Sequence, residues 1–405
     1  MVTCTYNIEL NPSDKVFSHW LTILTEAKTA YNACCEFLVS NNVPLSIKPV
    51  HDNVYGWMRK TYPILPAQSI IKVYKDAMSS LKSIKSNKHK DAKIPTKHSL
   101  SMRLDKRLYG TLSKAGITLS NGESVKRELV PFKNLYPKAE EMFNLYTYDE
   151  PLLFFRCNRF YLSVPFEVPE KPMVSETACG VDLGVRQLFV TSEGKSFVDK
   201  WYLKKKREIR YKKRELQSKG SKSAKRKLRK LKNRERNLTK DMCYRAAKAL
   251  INSTDAGVLV LEDLKKMKQR TSKSKEGFKN KKHNNRMGQV PFAQFKEILS
   301  HKAPLAGKRV ETVSPTYTSQ TDSRSNKRDG ERRGRRYICK DGLVLDADWN
   351  AAINIAQRSK HPLSSETIPV DGGLAPLGGR SLSVDQLHCK PVKGSSRDGL
   401  ASSLL

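Results

Sequence analysis

Apolar positions near the start of the chain change period once. Thr3 to Leu10 alternate as in a half-buried strand; after Pro12-Ser13-Asp14 they recur at Val16, Trp20, Leu24, Ala27, Tyr31, Cys34 and Leu38, one face of a helix. A second helix is predicted from Pro66, with Ile70, Ile71, Tyr74, Ala77, Met78, Leu81 and Ile84 as its stripe. It runs into a basic Lys/Ser-rich linker over 82–98. From Ser99 to Pro169 the pattern shortens to β-type runs at Leu100–Leu104, Gly116–Leu119, Glu128–Phe132, Tyr146–Phe155 and Arg159–Val168. Gly, Asn and Pro punctuate them, which predicts a small antiparallel barrel or sheet. If the first strand joins it, the helices are an insertion into a β-domain.

Past Glu176 three strands follow in succession, Ala178–Leu183, Leu188–Thr191 and Lys195–Val198, with turns too tight for anything but antiparallel pairing. About half of residues 200–240 are Lys or Arg, broken at Ser218-Lys219-Gly220-Ser221, which predicts two basic helices in a hairpin. Trp201, Tyr202, Leu203, Ile209, Leu216, Leu228 and Leu231 give that hairpin an apolar edge, and Met242–Ile251 continues as an amphipathic helix. Gly257–Leu261 reads as a buried strand, Lys265–Asn285 as basic and mobile, Pro291–His301 as a helix, and Arg309–Val313 as a strand. Strand, helix, strand in that order predicts a mixed α/β sheet. Ser, Gly and Pro dominate from His361, predicting a floppy tail.

Charge narrows the function. The 405 residues carry 76 Lys and Arg against 40 Asp and Glu, a net charge of +36. Such an excess repels itself unless a polyanion neutralises it, and the usual polyanion is nucleic acid. The eight cysteines form no disulfide framework, and no stretch approaches the roughly 18–20 apolar residues of a membrane span. The expected setting is an intracellular, reducing one.

Against this background three acids stand out: Asp182 in Cys-Gly-Val-Asp-Leu-Gly, Glu262 in Val-Leu-Val-Leu-Glu-Asp, and Asp348 in Asp-Trp-Asn-Ala-Ala-Ile-Asn-Ile. Each has a plain structural reading, as a hairpin corner, a strand end and a helix cap. Together they predict an acidic pocket that needs a cation. Mg²⁺ takes hard oxygen ligands, and a pair of such ions suits phosphodiester hydrolysis. Gly180-Val181-Asp182-Leu183-Gly184 also resembles the first phosphate loop of actin-like and sugar-kinase ATPases. That alternative requires later Gly-rich nucleotide loops, and between Val258 and Asn354 only isolated glycines occur.

The acids in order, with Pro291-Phe292-Ala293-Gln294-Phe295, Val313-Ser314-Pro315, Thr318-Ser319-Gln320-Thr321 and Asp348-Trp349-Asn350-Ala351-Ala352-Ile353-Asn354-Ile355, resemble the transposon-encoded TnpB nucleases and the compact type V CRISPR effectors. The resemblance is strong from about Ala178 to Arg358 and only one of layout before that. It implies a C-terminal RuvC-like, ribonuclease-H-like nuclease domain (176–360) with Asp182, Glu262 and Asp348 as catalytic Mg²⁺ ligands, two ions in all, with Mn²⁺ as a substitute. It also implies an N-terminal β-barrel (1–12 and 99–170) with a helical recognition insertion (13–98). Residues 200–252 would be the basic hairpin, 316–345 a degenerate zinc ribbon, and 361–405 a disordered tail.

The implied activity is RNA-guided cleavage of double-stranded DNA beside a short adjacent motif, the guide reading the sequence while the protein grips backbone and heteroduplex shape. The expected location is the cytoplasm of a prokaryotic cell, at the nucleoid. A nuclease-inactive guided repressor of the same ancestry is a further alternative, and it predicts a damaged acidic set. Candidate nucleic-acid contacts are Arg324 and the Arg332-Arg333 and Arg335-Arg336 cluster in the ribbon region, expected at the strand being cut, and Lys72 and Lys75 in the second helix. Asp346 is expected to support Asp348. Zinc ribbons of this family usually carry four cysteines; here Asp322 and Ser325 replace the first pair and only Cys339 remains of the second, with Asp341-Gly342 following. One thiolate cannot build a four-ligand site, so no structural zinc is expected.

Overall fold

The computed structural model describes residues 1–86, 94–122, 127–184, 187–264, 290–364 and 381–382. The chain divides into two compact units, Met1–Pro169 and Glu170–Leu405.

In the first unit β1 (Val2–Glu9) buries every second side chain and pairs antiparallel with β7 (Arg159–Val168), which pairs with β6 (Leu152–Arg156), which pairs with β2 (Leu100–Arg103). β3 (Tyr109–Ser113), β4 (Gly116–Ser120) and β5 (Arg127–Pro131) form a separate three-stranded sheet. The expected barrel does not close among the described residues. Only isolated bridges, Leu10 to Phe132 and Tyr148 to Phe166, extend the pairing. One reason is local: residues between β5 and β6 spend much of their length on α4 (Pro137–Leu145), opened by a proline that supplies helical φ, and the strand expected from Tyr146 begins only at Leu152.

Three helices lie between β1 and β2 in the chain. α1 (Asp14–Ser40) is capped by the Ser13 hydroxyl and buries Val16, Trp20, Ile23, Leu24, Ala27, Ala30, Tyr31, Cys34, Cys35 and Leu38. Trp20 donates its indole N–H to the Ser120 carbonyl at 2.9 Å, tying α1 to β4. α3 (Ala67–Ser86) packs along α1. Between them α2 (Ile47–Thr61) escaped the sequence reading, because only Val50, Val54 and Met58 are buried and they give too narrow a stripe to stand out.

The second unit is built on a six-stranded mixed sheet. β8 (Ala178–Asp182) pairs antiparallel with β9 (Phe189–Thr191) and parallel with β11 (Val258–Glu262). β11 pairs parallel with β12 (Arg309–Val313), and β9 pairs antiparallel with β10 (Ser196–Phe197). The edge is completed by β16 (Ser381–Leu382), parallel to β10. The predicted tail thus contributes one short strand; its residues 365–380 and 383–405 lie outside the described residues, as does the basic segment 265–289.

Strand alternation sorts the two faces of this sheet. Cys179, Val181, Leu259 and Leu261 point into a core with Met242, Cys243, Ala246, Ala247 and Leu250 of α6 (Lys222–Ser253) and Phe295 and Leu299 of α7 (Phe292–Lys302). Ala178, Val258 and Val260 point to the other face, against Ile355 of α8 (Ala347–Gln357). The basic hairpin is ordered: α5 (Lys200–Lys219) is capped by Asp199 and ends at Gly220 in the left-handed conformation, a turn glycine tolerates without Cβ strain. Tyr202 and Ile209 form its buried edge, whereas Trp201 is 54% exposed rather than packed. After α7, a three-stranded antiparallel sheet of β13 (Glu331–Arg333), β14 (Arg336–Ile338) and β15 (Val344–Asp346) leads directly into α8.

Candidate active site

Asp182 is the last residue of β8 and Glu262 the last of β11. The register that sets Val181 opposite Leu261 puts the two acids side by side at the ends of adjacent parallel strands. By the same alternation both share the face of Gly180 and Val260, the face that α8 covers. Asp348 sits in the first turn of α8. What lets α8 come so close is Gly180: a Cβ there would lie 2.0 Å from the Ala352 carbonyl oxygen and 2.6 Å from the Ala356 nitrogen. The helix end is fixed further by Trp349, whose indole N–H donates to the Ser192 carbonyl at 2.8 Å.

The cap of α8 is Asp346, not Asp348. Its Oδ1 accepts from the Asp348 and Trp349 amides at 3.0 and 3.2 Å, a contact that contributes about 1 kcal/mol. Asp346 also pairs with Arg335 at 3.2 Å. With the cap supplied by Asp346, the Asp348 carboxylate is not tied to the backbone of its own helix end.

Burial, followed by repulsion from Glu262 and then Asp348, pushes the Asp182 carboxyl up to about 8; Arg332 opposes the shift. Glu262 is also raised, chiefly by burial, against the opposing pull of the Thr318 hydroxyl, Arg358 and Arg332. Asp182 therefore lies within electrostatic reach of both other acids. The three are not drawn together: among the described residues no group of three or more His, Cys, Asp or Glu side chains is close enough to hold a metal ion. Two are committed elsewhere, Asp348 to the Arg332 guanidinium at 2.7 Å and Glu262 to the Thr318 hydroxyl. The donor set still suits a hard divalent cation in its chemistry, being all carboxylate oxygen in a partly buried pocket.

Several residues of this centre were not picked out as such from the sequence. Arg332 projects from β13 and bears on all three acids. Thr318 belongs to the Thr-Ser-Gln-Thr segment, which α8 holds through buried amides: Asn350 donates to the Thr321 carbonyl and accepts from the Ser323 amide, and Asn354 donates to the Thr318 and Thr321 carbonyls. The Asn-Ala-Ala-Ile-Asn spacing places these two amides four residues apart on one helical face. Of the candidate nucleic-acid contacts, Arg332 thus pairs with Asp348, Arg333 with Glu331 and Arg335 with Asp346. Lys72 is paired with Glu150 and, at 3.5 Å, with Asp105; Arg324 is paired with Asp341; Lys75 is exposed.

Residues 161–273 match the family model OrfB_IS605, probable transposase, and residues 292–355 match the Cas12f1-like TNB domain. The chain resembles a TnpB-like compact type V effector. The first span holds Asp182 and Glu262, and the second runs through β13–β15 to Asp348. A solved structure of a Cas12f1–sgRNA–target DNA complex shares the fold with a TM-score of 0.52 at 14% identity, covering 88% of this chain and 98% of that one. The structure of the mini-RNA-guided endonuclease CRISPR-Cas_phi3 is a looser likeness, with a TM-score of 0.43 at 11% identity, covering 88% and 92%. No curated protein matches. No described helix is long and apolar enough to cross a membrane.

The raised Asp182 carboxyl has a measurable consequence in cation-free protein. Between the unfolded value of about 4 and the folded value of about 8, the native state keeps a proton that the unfolded chain has lost. Stability conferred at lower pH is therefore lost progressively as pH rises across that window, and levels off above it. Thermal unfolding from pH 5 to 9 in chelator is expected to show this decline, and added Mg²⁺ is expected to flatten it near pH 8 by binding the native state.

Proposed function

We propose that this chain is an RNA-guided DNA endonuclease that hydrolyses phosphodiester bonds at a single acidic centre formed by Asp182, Glu262 and Asp348. The observation that carries this reading is the convergence of two strand ends and one helix end on one electrostatic neighbourhood, in a chain of net charge +36. The transposase and Cas12f1-like spans support the reading, as does the shared fold with a protein solved on sgRNA and target DNA. Guide RNA and double-stranded DNA are the partners proposed, at the nucleoid in the cytoplasm. The α5–α6 hairpin offers them a row of Lys and Arg on helices whose inner edge is already satisfied by packing.

A pair of Mg²⁺ ions, with Mn²⁺ as a substitute, would supply water activation and charge stabilisation for the leaving oxygen when bound. The chain's own residues do the rest. Asp182, Glu262 and Asp348 offer hard oxygen ligands, and the low-dielectric surroundings of Asp182 and Glu262 strengthen their pull on a cation. Thr318 holds the Glu262 carboxylate in one orientation. Arg332 neutralises Asp348 and is placed to exchange that carboxylate for a substrate phosphate, which a planar guanidinium grips with two parallel hydrogen bonds.

The test is to express the protein with its native flanking DNA, sequence any RNA that co-purifies, and assay cleavage of a plasmid matching that RNA with and without Mg²⁺. Bound RNA together with guide-dependent, Mg²⁺-dependent cutting is expected. Cutting that ignores the guide, or a preparation without RNA, overturns the reading.

A further inference from the structure

The segment between β12 and α8 has the outline of a metal ribbon without the residues for one. Two tight turns face each other there. In the first, the Asp322 amide donates to the Lys327 carbonyl at 2.8 Å and the Asn326 amide donates back to the Asp322 carbonyl at 2.9 Å, with Asn326 at φ 59°. In the second, the Cys339 amide donates to the Leu343 carbonyl at 2.8 Å and the Gly342 amide to the Cys339 carbonyl at 3.0 Å, with Gly342 at φ 84°. Inside each turn, side-chain oxygens receive backbone N–H groups. Asp322 accepts from Arg324, Ser325 from Lys327, and Asp341 from Leu343.

The side chains at these turns are Asp322, Ser325, Cys339 and Asp341. Zinc wants four ligands drawn from thiolate, imidazole or carboxylate. Ser325 offers a neutral hydroxyl, Asp341 faces an arginine, and Cys339 is buried, with its thiol pushed up to about 12 by burial and by the Asp322 carboxylate beside it. These residues do not fit zinc. The turns are joined by another group. The Arg324 guanidinium reaches Asp341 of the second turn at 2.5 Å and lies 3.7 Å from Asp322 of its own. Asp322 is 2% exposed, so its charge has few other partners.

We infer that Arg324, clasped between Asp322 and Asp341, performs the cross-link between the two turns that a zinc ion performs in a four-cysteine ribbon. The clasp is a positioning device. It closes the base of the β13–β14–β15 sheet; on the middle rung of that sheet β13 carries Arg332 onto Asp348, and at the far end β15 ends in the Asp346 cap. Below the clasp Tyr337, Cys339, Leu345 and Ala347 pack as a small apolar core, with Trp349 against it. Four such side chains are a thin core, so the cross-link sets how rigidly Arg332 is presented. The inference needs no nuclease activity, and the purified full chain suffices to test it.

Three measurements decide it. Metal analysis of the full chain should find zinc well below one ion per molecule, and a strong zinc chelator should leave amide-exchange protection at 322–327 and 338–343 unchanged. Arg324→Ala should speed exchange at both turns by about two- to fivefold, the loss of one half-exposed charge pair, with Arg324→Lys in between. Arg324→Ala and Asp341→Ala combined should loosen the two turns little more than Arg324→Ala alone, because both remove the same cross-link, whereas two unrelated effects would add. Stoichiometric zinc, loosening by chelator, or additive loosening in the double variant overturns the inference. Loss of RNA-guided cutting in the parent protein would count against the proposed function and leave these exchange results standing.

Discussion

The Asp182→Asn protein is expected to cut DNA about 100- to 1,000-fold more slowly than the parent while binding guide and target equally well, and to melt at a higher temperature when free of divalent cations. Both halves follow from one geometry. Asparagine matches the shape of Asp182 and lacks the anionic oxygens that a cation and the transition state require, and loss of a single such group costs about 10²–10³ in rate. The same change removes a carboxyl that burial and two neighbouring acids hold near pKa 8, so the cation-free native state sheds the cost of keeping that group protonated where the unfolded chain has lost the proton. A gain of several degrees in Tm at pH 8 in chelator, shrinking toward pH 5, is the signature of an active-site residue held at a cost to stability. Retained cleavage would remove Asp182 from the chemistry, and a lowered Tm would make it a structural acid.

Gly180→Ala is the second large expectation, and it acts without touching any polar group. The added methyl carbon would stand 2.0 Å from the Ala352 carbonyl oxygen and 2.6 Å from the Ala356 nitrogen, both backbone atoms that no rotamer change can move. Helix α8 must back away from β8. Overpacking of this kind costs about 1–3 kcal/mol, and a displacement on the order of 1 Å at the helix start carries Asp348 off the strand ends. A misplacement of that size costs about 100-fold in rate. Urea unfolding and a cleavage time course on the same preparation check the two effects together. An alanine variant with parental stability and parental rate would show that α8 does not rest on Gly180.

The elements of the second unit were legible because each announces itself within its own few residues. Val258–Glu262 is a short apolar run, Arg309–Val313 alternates, and Ser218-Lys219-Gly220-Ser221 breaks a basic helix where a left-handed residue is needed. The first unit was harder to read. Its strands could be recognised singly, but whether they close into a barrel depends on edges meeting across more than a hundred residues, and α2 has too little buried surface to mark itself.

The sequence by itself singled out Asp182, Glu262 and Asp348 and determined where each sits on its element, since periodicity puts Asp182 and Glu262 at strand ends and an Asp-rich stretch before Ala-Ala-Ile starts a helix. It also determined that Cys339 is the one cysteine between Val313 and Ala347. Only the tertiary structure decided what stands among those groups: Arg332 reaching Asp348 from a separate sheet, Thr318 holding Glu262, Gly180 admitting α8, Asp346 taking the cap, and Arg324 joining two turns to Asp341. Periodicity and capping are properties of neighbouring residues, so composition and spacing carry them. An ion pair or a close backbone approach between residues far apart in the chain depends on how whole elements pack, and no single segment encodes it.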